Sequence, residues 1–257
     1  MLHSIEDLEA ERSRAFLRPE SAAAPPVLAH VELAVDGDPA RYASRLRGVL
    51  DAVLHLAATA SFDGDGDLPA GTVPGWFSGV CRGGGSPEPF AAEGRDRYTE
   101  WTGGTPWALQ NWLSRFDPDL EVRGWAWWGL TAAPTGNGVL RLWADTWGEP
   151  SFAWEDLRWL AFVAGARTVA NPVLVKPEAW AGELSVGGGG ESALMVETPG
   201  DTTVRWSGPA GNVEKTYEVP PQSVMAWRER GETLVQVDFR GRIDLETGEI
   251  TDTNTWR

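Results

Sequence analysis

VRGWAWWGL–TAAPTGNG–VLRLWADTWGEP–SFAWEDLRWLAFVAGA–RT–VANPVLV, residues 122–175, is the stretch that decides the fold, and it carries seven of the fifteen tryptophans. Val122 to Leu130 is apolar apart from Arg123, as expected of a strand covered on both faces. The Pro/Gly/Asn turn that follows returns the chain into Val139 to Trp147, where Arg141 and Asp145 alternate with Leu140, Leu142 and Ala144. Ser151 is then placed to cap a helix with Glu155 and Asp156 in its first turn and Gly165 at its end, and Val169 to Val175 closes the unit as a strand. Trp128, Leu140, Leu142, Leu157, Leu160 and Ala161 are the expected inward half.

Upstream, Val27 to Val35 alternates as a strand with Leu28, His30, Glu32 and Ala34 on one face. Asp38 and Pro39 open a helix that runs to about Ala58, because Ala43, Leu46, Leu50, Val53, Leu54 and Ala57 recur at helical spacing. Residues 1–26 read as a helical arm capped by Ser4 and Asp7, ending in the linker SAAAPP and expected to be loosely docked. Ser61 to Gly94 is rich in Gly, Pro and Asp, with a short strand or helical turn expected at Trp76 to Cys81, and is either partly structured by packing of Trp76 and Phe77 or functional; after it, Thr105 to Phe116 has helical spacing. From residue 176 to 257 the pattern becomes strand after strand, separated by turns such as Pro199-Gly200 and Pro220-Pro221. The expected architecture is therefore α+β: a mostly antiparallel sheet with packed helices over residues 27–175, followed by an all-β antiparallel meander over 176–257 that extends or adjoins that sheet.

Several chemistries are excluded by composition. Cys81 is the sole cysteine, so no internal disulfide forms and a reducing, cytoplasmic compartment is expected. The acidic N-terminus lacks the basic and apolar regions of a signal peptide. A formal charge of −15 repels phosphate backbones and anionic lipid, so neither nucleic acid nor a membrane is an expected partner. Its complement is a basic protein partner. The dominance of arginine over lysine, with abundant Ala and Gly, points to a GC-rich bacterial genome.

No complete catalytic constellation is present. His30-Val31-Glu32 supplies the H-x-E half of the zinc-deaminase signature, but a single cysteine rules out the P-C-x-x-C half. The same HVELAVD strand, followed by a Pro-initiated helix, resembles the opening of a glyoxalase-like vicinal oxygen chelate module over about 25 of the 257 residues. That resemblance implies His30, with Glu32 beside it, as metal-ligand candidates in a metal-dependent enzyme. Asp63-Gly64-Asp65-Gly66-Asp67 begins like a calcium loop, yet Leu68 stands where its glycine belongs and Pro74 where its glutamate belongs. Cys81 lacks a nearby histidine in sequence, and no Walker A, HExxH or G-x-S-x-G motif occurs.

What remains is a cluster of aromatic and acidic residues at the corner between strand and helix. Trp143, Asp145, Trp147, Glu149 and Glu155, with Trp125 and Trp127 on the neighbouring strand, have the composition of a protein-binding surface. The reading that follows is a non-enzymatic acidic binding protein needing no cofactor, of the immunity or antitoxin type, that neutralises a cationic effector. The alternatives are the chelate enzyme above and a carbohydrate-binding or hydrolysing protein, with Asp145 and Glu149 as the carboxylates and Trp143 and Trp147 as sugar platforms.

Overall fold

The computed structural model describes residues 3–62, 64, 66–120, 122–133 and 139–186, together with the backbone of the strands beyond residue 191. Asp63, Asp65, the hairpin turn Pro134 to Gly138, the glycines at 187–190 and the turns Pro199-Gly200 and Pro220-Pro221 lie outside the described residues. The elements in chain order are α1 (Ile5–Phe16), β1 (Leu28–Val35), α2 (Pro39–Thr59), α3 (Gly75–Val80), α4 (Pro89–Thr102), α5 (Leu109–Leu113), β2 (Ala126–Ala132), β3 (Val139–Asp145), α6 (Glu155–Val163), β4 (Ala166–Val169), β5 (Val173–Val175), α7 (Pro177–Ala181) and β6 (Leu184–Ser185). The fold is α+β.

The sheet is antiparallel throughout its described part, with β3 between β1 and β2. On the far side of β1, β4 pairs with Leu33 to Val35 and β5 with Leu28 to His30, while β6 adds to the end of β2. Alternation along β1 and β3 then dictates two faces. Val31, Leu33, Leu140, Leu142 and Ala144 join the main core under α2 and α6. Leu28 and Trp143 point the other way, into a smaller cluster with Trp128 and Trp180.

Capping chemistry explains α1 and α2. Ser4 and Asp7 form a reciprocal capping box on α1, and the Asp38 side chain accepts the Ala40 N–H at the start of α2 with Pro39 in its first turn. At α6 the expectation fails: the cap position is Trp154, without a side-chain hydrogen bond, and Ser151 lies three residues outside the cap. The strand expected at 169–175 is two short strands, β4 and β5.

Two larger corrections concern the N-terminal arm and residues 61–94. The arm is held firmly: Leu8, Glu11 and Ala15 are buried, and α1 packs on α2 and β2. The stretch 61–94 holds α3, where a short strand or helical turn is expected at Trp76 to Cys81, and Pro89 to Gly94 of α4, the helix that its glycine disguised as a loop. That glycine is a packing requirement, because a Cβ there would lie 2.1 Å from the Phe162 carbonyl oxygen of α6. The helices therefore approach backbone to backbone, and Tyr98 one turn on stacks edge-to-face on Trp159 at 5.1 Å.

Beyond residue 191, β7 (Ser192–Thr198), β8 (Asp201–Gly208) and β9 (Gly211–Tyr217) pair as one antiparallel sheet. A second comprises β10 (Val224–Glu229), β11 (Glu232–Val237), β12 (Gly241–Asp244) and β13 (Ile250–Asp252). No described strand pairing joins either to the six-stranded sheet.

The α4–α6 contact is directly testable. Gly94→Ala puts a methyl group against backbone that cannot rotate away, so a loss of about 3 kcal/mol in urea unfolding is expected. A loss below about 0.5 kcal/mol would mean that the two helices do not pack this closely.

Candidate functional site

The corner after β3 is built by its own backbone. Asp145 Oδ1 accepts the Trp147 N–H at 2.8 Å, and the Glu149 N–H closes on the Thr146 carbonyl at 3.0 Å. Trp147 and Gly148 both take positive φ, 53° and 80°, so the turn has the primed geometry that glycine and asparagine favour. A tryptophan there sits in the left-handed region at a cost of about 1–2 kcal/mol. It is also 38 % exposed. Its ring meets His3 edge-on, with centroids 5.0 Å apart.

This turn forms one wall of a cleft of about 320 Å³, whose other wall is His3 with α1: His3, Asp7, Glu11 and Arg14 face Ala126, Trp128, Asp145 and Trp147. At its floor lies a buried ion pair. Arg123 Nη1 and Nη2 donate to the two oxygens of Glu11 at 2.6 and 2.8 Å, and the Trp127 N–H adds a third bond to Glu11 at 2.6 Å. Arg123 Nη2 also donates to His3 Nδ1 at 3.1 Å, so the His3 proton sits on Nε2, 3.0 Å from the Arg123 carbonyl. Burial and the neighbouring Arg123 charge hold His3 below its ordinary pKa, against the opposing pull of Glu11 and Asp7. The imidazole is neutral at pH 7 and serves as an acceptor for Arg123.

Asp145 is electrostatically different. Burial pushes its carboxyl above the usual range, countered by the Trp147 N–H and the Arg14 charge. Among the described residues it has no ion-pair partner within 4 Å. Arg14 itself is turned to the Trp127 carbonyl, 3.1 Å from its Nε, with its guanidinium 4.8 Å from the centroid of Trp128. Of the three carboxylates that line the cleft, Asp7 is bonded to Ser4 and Glu11 to Arg123, while Asp145 is under-compensated.

The other residues singled out from sequence separate into two groups. Glu149 and Glu155 are exposed, the latter paired with Arg158 at 2.8 Å. Trp125, Trp127 and Trp143 are wholly buried and are not surface residues. Trp125 Nε1 donates to Asp156 at 2.9 Å, and Trp143 Nε1 donates to Thr131 Oγ1 at 2.7 Å. Trp143 therefore offers no platform to a sugar. His30 rests against the Trp143 ring at 5.2 Å, and Glu32 is engaged by Arg141 at 2.9 Å. Among the described residues no group of three His, Cys, Asp or Glu side chains converges as a metal set, so the further ligands that the chelate resemblance requires are not found beside His30. Burial drives the Cys81 thiol up to about 12, which leaves no thiolate for nucleophilic chemistry at neutral pH.

Sequence reasoning missed His3, Glu11, Arg14 and Arg123. The signal lay in Arg123, the one charge in an otherwise apolar segment, which leads into β2 (the strand begins at Ala126, not at Val122) and demands a buried counter-ion. A larger groove of about 570 Å³ runs over Gly83 to Ser86 and Leu109-Gln110, but its charged side chains, Asp67 and Arg82, are both exposed. Among the described residues no helix is long and apolar enough to cross a membrane. The chain matches no protein-family model, no curated protein and no solved structure.

Two outcomes test the floor of the cleft. Glu11→Ala strands Arg123 and the Trp127 N–H, costing about 3–5 kcal/mol, whereas the double variant Glu11→Leu/Arg123→Met recovers most of the loss; urea unfolding reads both. His3 has a folded pKa below its unfolded value of 6.5, so its contribution to stability is full above that pH and drains away as pH falls below it. The difference in Tm between wild type and His3→Gln is therefore expected to shrink from pH 7.5 to pH 5.5, and parallel curves would exclude His3 as the cause.

Proposed function

We propose that this chain is an acidic, non-enzymatic binding protein of the immunity or antitoxin type, whose cleft between α1 and the β3 corner receives a cationic side chain of a basic protein partner. The single observation that carries the reading is Asp145: a half-buried carboxylate without an ion-pair partner among the described residues, facing an open cleft beside an exposed tryptophan. An incoming guanidinium or ammonium would supply the missing counter-charge, and Trp147 offers a ring face for a cation–π contact. The strained backbone at Trp147 favours the same reading, because a glycine or asparagine would fit that turn at lower cost. The net charge of −15 supplies long-range attraction for a basic surface. Glu149, exposed on the same turn, extends the acidic rim.

A fluorescein-labelled oligo-arginine peptide in 20 mM salt is a sufficient probe, with oligo-glutamate as the control. Asp145→Asn changes one charge in a chain of formal charge −15, so diffuse attraction would hardly register it. Loss of about tenfold or more in affinity on Asp145→Asn, and again on Trp147→Asn, is the expected result in fluorescence anisotropy. Both variants should be at least as stable as wild type at pH 7, since one removes a poorly compensated buried charge and the other relieves the positive φ. Equal binding by wild type and both variants would overturn the proposal, as would no binding of the arginine peptide.

A further inference from the structure

His3 lines the cleft just ahead of α1, and both of its ring nitrogens are committed to one residue. Nδ1 accepts from Arg123 Nη2 at 3.1 Å, and Nε2 donates to the Arg123 carbonyl at 3.0 Å. A guanidinium can only donate and a carbonyl can only accept, so these two bonds hold the imidazole in a single neutral tautomer. The ring is 3 % exposed and meets the exposed Trp147 ring edge-to-face. His3 therefore joins the floor of the cleft to the corner after β3.

A further proton has only Nδ1 to go to, and there the new N–H would point at the N–H of Arg123. The carboxylates beside the ring are already engaged: Glu11 gives both oxygens to Arg123, and Asp7 gives Oδ2 to the Ser4 hydroxyl and N–H. Both still favour the charged ring, but burial and Arg123 outweigh them, so His3 takes its proton only below the ordinary 6.5. Two more charged groups line the cleft. Arg14 repels an imidazolium, whereas Asp145, with no ion-pair partner among the described residues, attracts it. Departure of the ring leaves α1 in place, because the Ser4–Asp7 capping box is local and Leu8, Glu11 and Ala15 stay buried.

We propose that His3 is an acid-released latch on the cleft: neutral, it is fastened to Arg123 and braces Trp147; protonated, it leaves Arg123 and turns toward Asp145, where its charge competes with a cationic partner. The latch stands on the two Arg123 contacts, whereas the competition rests on the reading of the cleft as a cation site. Its direction is fixed by charge: a cationic side chain binds best where His3 is neutral and is released as the pH falls. By linkage, a bound cation holds His3 neutral to lower pH.

The chain has three histidines, His3, His30 and His55, so their C2–H resonances can be followed one by one in NMR of the full chain. Between pH 7.5 and pH 5.0, His3 is expected to titrate below its ordinary value, and the Trp147 indole resonance, assigned by its absence from Trp147→Asn, to move with the same midpoint. In His3→Gln the Trp147 transition at that midpoint should be lost. A His3 that stays neutral to pH 5.0, or a Trp147 resonance that ignores the His3 titration, would overturn the latch, and neither result depends on a variant that folds. For the competition, binding of the oligo-arginine peptide is measured at both pH values in wild type and His3→Gln. Asp145 also loses charge as the pH falls, since burial raises its pKa, and both proteins share that part. The affinity of wild type should fall about tenfold more than that of the variant; equal falls would overturn the competition. Absence of peptide binding at pH 7.5 would defeat the cation reading of the cleft instead, and the two resonances would still decide the latch.

Discussion

The buried ion pair between Glu11 and Arg123 is the constraint on which the rest of the N-terminal half depends. A buried arginine in the apolar segment that leads into β2 cannot be left unpaired, and the carboxylate that answers it comes from 112 residues earlier in the chain. That pairing brings α1 against the start of β2. It also sets the depth of α1, because the same Glu11 oxygen takes the Trp127 N–H at the point where β2 begins its pairing with β3. Once α1 is there, His3 is carried to Trp147 and Arg14 to the neighbourhood of Asp145. The cleft is thus a by-product of satisfying one buried charge.

Much of this was legible in the sequence, and the failures have identifiable physical causes. β1 and α2 were readable because alternation and helical spacing there agree with their capping residues. α4 was not, since its amphipathic pattern is weak and its central glycine, which signals a turn in isolation, serves a backbone contact with a helix some 70 residues away that only tertiary structure reveals. The tryptophans of β2 misled for another reason. Pairing shifts between Trp127 and Gly129, making Trp128 an extra residue in the strand. Trp125 and Trp127 belong to the main core and Trp128 joins Trp143 and Trp180 on the opposite face, while the extra residue returns Leu130 to the core side beside Leu142. Strict alternation read from the sequence carries no sign of that bulge.

Of the corner residues chosen from sequence, Asp145 and Trp147 are brought together at the cleft, Glu149 stands on the same turn, and Glu155 is tied to its own helix. Trp143 was chosen on the same grounds as Trp147 and turned out to be core. The two are four positions apart, so a regular strand would place them on one face. The strand stops at Asp145, however, and the positive φ at Trp147 swings its ring toward His3 instead. A break in regular geometry decides which tryptophan is available to a partner.

The same logic links the proposed cleft to incomplete pairing rather than to composition. This chain has 37 acidic and 22 basic side chains, and most can be left in water without consequence. The informative group is the one that folding has carried partly out of water and left partly unanswered, Asp145. Glu11, Asp156 and Glu183 are more deeply buried than Asp145, but each is met by an arginine and by at least one further donor, so each is explained by the fold alone. Arg14 borders the cleft as well, but its hydrogen bond goes to the Trp127 carbonyl, so Asp145 keeps only the Trp147 N–H and the more distant Arg14 charge.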